Sequence, residues 1–82
     1  MTIQLEFYLR EELNRCDLTN REKEVASYWV MDYSSKEIAA VLFLSEHTVK
    51  SMLKSINRKM DVSTKASLIL KLLEGVWSKL ST

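Results

Sequence analysis

Lys50, Lys54 and Arg58 follow one another every four residues, and Ser51 precedes Lys54 by three, so a helix through them gathers three cations and a hydroxyl on one stripe. Cations so arranged attract an anionic partner; they make and break no bond. His47 stands where the stripe begins, but it is the single histidine and Cys16 the single cysteine. No internal disulfide or cysteine-based zinc site can form, and His47 reads as a surface or phosphate-adjacent residue rather than a metal ligand. There is no glycine-rich loop, and the carboxylates are scattered, several of them placed as helix caps. The chain reads as a non-enzyme that uses no cofactor and no metal.

The elements that must position this stripe lie between Ser34 and Met60, as two helices meeting at a short apolar turn, Phe43-Leu44. In the second helix Val49, Met52, Leu53, Ile56 and Met60 recur at helical spacing and predict a packed face, which turns Glu46, His47, Lys50, Ser51, Lys54 and Arg58 outward. Ser34 and Glu37 have the spacing of a capping box, and Ser45 caps the second helix. Tyr33 with Ile38, and Leu44 with Val49, are spaced as hydrophobic staples. Ile38, Ala39 and Leu42 form the buried side of the first helix, with the small pair Ala39-Ala40 where two backbones must approach closely.

Upstream, Thr19 and Glu22 form another capping box and start a helix that presents Val25, Ala26, Trp29 and Val30 and ends near Met31, with Asp32-Tyr33 as its exit. Trp29 reads as core. Residues 2–16 carry two periods at once: Ile3, Leu5, Phe7 and Leu9 alternate like a strand, while Leu5, Leu9, Leu13 and Cys16 fit a helix. Helix is expected, because a lone strand in a helical chain would leave its backbone unpaired. Downstream, Asp61-Val62-Ser63 breaks the pattern. Ser63 or Thr64 then caps a last helix with Ala66, Ile69, Leu70, Leu73, Val76, Trp77 and Leu80 apolar, which Gly75 is expected to end or loosen, although the spacing of Val76, Trp77 and Leu80 suggests that helical contacts resume beyond it. Trp77 either caps the core or sits in an interface.

Eighty-two residues, 46% hydrophobic and 28% charged, describe one small all-α domain whose modest core favours packing on a second copy. Net charge is only +1, but the positive charge is concentrated between residues 50 and 59, while residues 1–17 are acidic on balance. Neither a signal peptide nor a membrane-spanning run is visible, so a cytoplasmic protein without a membrane partner is expected.

The blocks L-T-N-R-E-K-E-V (18–25), K-E-I-A-A-V-L (36–42) and L-S-E-H-T-V-K (44–50), followed by I-N-R-K-M-D-V-S-T-K, together resemble the LuxR/GerE-type helix-turn-helix family of bacterial transcription regulators. The resemblance runs over roughly 18–73. It implies a four-helix DNA-binding domain in 18–82, preceded by a helical extension in 1–17, whose third helix (about 46–60) enters the major groove of double-stranded DNA. By position it implies base-facing roles for Lys50, Ser51 and Lys54, and phosphate-edge roles for Ser45, Thr48, Arg58 and Lys59. The last helix commonly pairs two copies in this family, which makes Leu70, Leu73, Val76 and Trp77 the dimer candidates. Asp32 and Asp61 stand where the family usually has Gly, Met52 where His is frequent, and Lys65 where Arg is usual.

Two functions are therefore expected to compete: a sequence-specific DNA-binding regulator acting as a homodimer, and a helix-turn-helix module that binds RNA polymerase or another regulator without binding DNA by itself. Low net charge and the acidic first helix keep the second in play.

Overall fold

The computed structural model describes residues 2–80, and side chains from 5 to 78. Among the described residues the fold is all-α: α1 (Thr2–Arg15), α2 (Asn20–Val30), α3 (Ser35–Leu42), α4 (Glu46–Met60) and α5 (Lys65–Leu80). The N-terminal ambiguity resolves as helix, with Leu9 and Leu13 buried and Leu5 exposed. The side chains of Ile3 and Leu80 lie outside the described residues.

α2 is the hub, since it packs against each of the four other helices, while α3 packs on α4 and α1 on α5. Val25 and Ala26 of α2 are wholly buried, together with Ile38, Val49, Ile56 and Leu68 from the surrounding helices. Each such large side chain contributes about 1.5–3 kcal/mol relative to staying exposed. Trp29, expected in the core, packs against it half-buried, and the Lys65 ammonium lies 5.7 Å from its ring centre.

Local capping follows the sequence. The Thr19–Glu22 and Ser34–Glu37 boxes are both closed, and at Glu37 the Ser34 hydrogen bonds hold the carboxyl below its usual pKa. Thr64 rather than Ser63 accepts from the first turn of α5, through Ser67 N at 3.0 Å. Three helix exits take left-handed backbone without glycine: Asp32 (φ 72), Phe43 (φ 57) and Asp61 (φ 57). Asp32 and Lys65 meet at 3.1 Å.

One expectation for α5 needs correction. Gly75 neither ends nor loosens the helix, which runs through it to Leu80. A Cβ there would meet the end of the flexible Glu12 side chain, which can shift, so the position does not depend on glycine. The buried side of α5 is Leu68, Leu72 and Val76, whereas Ala66, Leu70 and Trp77 are exposed and Ile69 and Leu73 half-buried. The helix is therefore apolar both on the face that packs inward and on one that is turned outward. Cys16, whose thiol donates to the Glu12 carbonyl at 3.2 Å, has its pKa raised by burial and by the charge of Glu12, as suits an inert core thiol.

Candidate nucleic-acid interface

α4 owes its outward face to its inward one. Val49, Leu53, Ile56 and Met60 are buried and Met52 is half-buried, so helical geometry turns Glu46, His47, Lys50, Ser51, Lys54 and Arg58 to solvent, and all six are exposed. Lys50, Ser51 and Lys54 thus lie together on the stripe expected of them. Among the described residues Lys54 and Arg58 have no ion-pair partner, while Lys50 reaches Glu46 one turn back at 3.1 Å.

The helix begins with Ser45, whose hydroxyl accepts from Thr48 N at 3.0 Å and donates to Thr48 Oγ1 at 2.8 Å. Its first turn therefore presents unpaired backbone N–H groups and the Thr48 hydroxyl at an exposed tip, an arrangement that suits a phosphate. At the other end Arg58 borders a shallow cleft with Asn57, Ser63 and Ser67, in which the buried Asn57 Oδ1 has no hydrogen-bond partner. The Lys71 ammonium donates to the Met60 carbonyl and closes the C-terminus of α4.

Lys59 does not share the setting of its neighbours. Its ammonium lies 2.8 Å from Glu22 Oε1, and Ser55 donates to Glu22 Oε2 at 2.8 Å. The Glu22 side chain is only 8% exposed, against 36% for Lys59. Oε1 also accepts from Thr19 N at 2.9 Å, so one carboxylate caps α2 and ties α2 to α4. Burial alone would raise the Glu22 pKa. The hydrogen bonds from Lys59, Thr19 and Ser55 and the Lys59 charge outweigh it and hold the group at about 2, from an ordinary 4.5.

This network is the main feature that sequence reasoning missed. Glu22 was legible as a cap, but its second role joins residues 33 and 37 positions apart. The one local signal was Ser55 and Lys59 at i, i+4, a polar stripe beside the basic one. Of the dimer candidates, Leu70 (62% exposed) and Trp77 (72%) face outward on α5, and Leu73 lies half-buried. Val76 is buried within the chain and has little area left for a second copy.

A model of the family described as bacterial regulatory proteins, luxR family, matches residues 17–72. The chain is 39% identical over 56 residues to the spore germination protein GerE of Bacillus subtilis (strain 168), covering 68% of this chain and 76% of that protein. It is 34% identical over 62 residues to the transcriptional regulatory protein DegU of Brevibacillus brevis, and 42% identical over 53 residues to the uncharacterized transcriptional regulatory protein YhcZ of Bacillus subtilis (strain 168). Those matches take in 76% and 65% of this chain but only 26% and 25% of the two relatives. No solved structure matches. The matched region takes in α2, α3, α4 and the first half of α5, and leaves α1 outside.

Proposed function

The chain belongs to the luxR family of bacterial regulatory proteins, and from that premise we propose that it is a transcription regulator that binds double-stranded DNA sequence-specifically as a homodimer. The observation that carries this reading is the outward face of α4, where Lys50, Ser51, Lys54 and Arg58 stand exposed on a helix whose other side is locked into the core. The N-terminal half of α4 enters the major groove. Lys50 and Lys54 donate to guanine O6 and N7, and Ser51 contacts base edges with less discrimination. Ser45 and Thr48 at the tip, and Arg58 at the far end, take phosphates. Lys59 contributes chiefly by holding α4 against α2, with its remaining donors close to the backbone.

The outward stripe of α5, with Leu70, Leu73 and Trp77, supplies the contact between two copies. A protein that binds chromosomal DNA works in the cytoplasm, and no helix among the described residues is long and apolar enough to cross a membrane.

Selection of bound sequences from random duplexes tests the proposal. A recovered motif with two half-sites about one helical turn apart is expected. Lys54→Ala should weaken binding to that motif by about tenfold and relax preference at one base pair. Affinity indifferent to salt, or retention of DNA only through an added RNA polymerase or second regulator, would favour the protein-interaction reading instead.

A further inference from the structure

Glu46 is the one carboxylate on the outward face of α4, and it stands in the first turn, at the end proposed to lead into the groove. An acid there looks out of place, because it faces a polyanion. Its partner explains it. Glu46 Oε2 lies 3.1 Å from the Lys50 ammonium, one helical turn on, with both side chains well exposed, at 47% and 61%. A glutamate N-terminal to a lysine at i, i+4 is the favourable order for such a pair, and it narrows the range of directions the lysine can take.

We infer that Glu46 is a specificity-determining residue that acts through Lys50, holding its ammonium over the groove face and keeping it from sequence-independent contact with phosphates. This rests on the DNA-binding reading above. A free lysine on four rotatable carbons sweeps the nearest backbone oxygen as readily as a base edge, whereas a held one meets the base it was aimed at. The carboxylate also repels backbone that approaches in the wrong register, which weakens non-cognate complexes more than the cognate one. Lys54, one turn further along the same stripe, has no such partner among the described residues, so only Lys50 is guided by a neighbouring carboxylate.

The test compares the full chain with Glu46→Gln on two duplexes, a motif recovered by selection and a scrambled one, across a salt series. Glu46→Gln should tighten the scrambled duplex by about 2- to 5-fold at low salt and steepen its salt slope by close to one unit, as Lys50 gains a phosphate. The selected motif should change less, so the ratio of the two affinities falls. In a Lys50→Gln background the same substitution should leave the scrambled salt slope where it was. Equal tightening on both duplexes would reduce Glu46 to bulk charge and overturn the inference, as would an unchanged slope or an effect that survives Lys50→Gln. Salt-dependent binding by the unmodified chain is a separate readout; its absence would sink the DNA reading itself.

Discussion

Two glutamate–lysine pairs meet on α4, and they differ in almost everything but composition. Glu22–Lys59 joins two helices across 37 residues at 2.8 Å, around a carboxylate that is almost out of water and fully hydrogen-bonded. Glu46–Lys50 joins adjacent turns of one helix at 3.1 Å, in the open. Burial decides what each can do. In low dielectric a pair is rigid and costly to break, so it positions structure, while in water it is weak and exchangeable, so it biases a side chain that a ligand can still take. One helix thus has an anchored end and an available end.

The contrast is sharpest in stability. Lys59→Ala leaves the Glu22 carboxylate buried without its counter-charge, and should cost about 3 kcal/mol in urea unfolding. Glu22→Ala should cost less, about 2 kcal/mol, because the stranded Lys59 can reach water but the cap on α2 is also lost. If Lys59→Ala weakens DNA binding yet leaves stability untouched, Lys59 is a phosphate grip and the anchor is elsewhere.

Acid should break the same pair. A group held at about 2 against an ordinary 4.5 contributes about 3 kcal/mol of stability, fully present above pH 4.5 and lost as pH falls through 4.5 toward 2. The sign follows from the unfolded chain binding the proton more tightly. Glu22→Gln should be less stable at neutral pH and should lose most of this acid dependence, checked by thermal melts between pH 6 and pH 2.5.

Breaking the exposed pair should do the reverse. Lys50→Ala should move stability by no more than about 0.5 kcal/mol, yet weaken the selected duplex by about tenfold. At the helix exit an effect on stability alone is expected. Asp61→Gly relieves left-handed backbone and should stabilise by about 0.5–1 kcal/mol without altering DNA affinity, since the cap is made by the backbone N–H of residue 61, which glycine keeps.

What was legible depended on how far apart the participants stood. The capping boxes at Thr19–Glu22 and Ser34–Glu37 closed as read, because both partners lie within one turn of each other. The outward stripe of α4 was legible for a related reason: one unbroken apolar face leaves a helix only one way to turn. α5 offered two apolar faces. Spacing alone has no means of ranking Leu68–Leu72–Val76 above Ala66–Leu70–Trp77; the core took the first set, leaving the second exposed. Gly75 misled because its low helix propensity acts locally, whereas α5, which runs through it, packs on α1 and α2.

The sequence by itself determined the helices, their caps and the composition of the outward stripe of α4, because propensity, capping and periodicity act within a few residues of chain. Only the tertiary structure decided which face of α5 is buried, that Glu22 serves two helices, and that Lys59 is anchored while Lys50 and Lys54 remain available. Those outcomes depend on which charges leave water and what meets them there, and that is settled by packing between residues tens of positions apart.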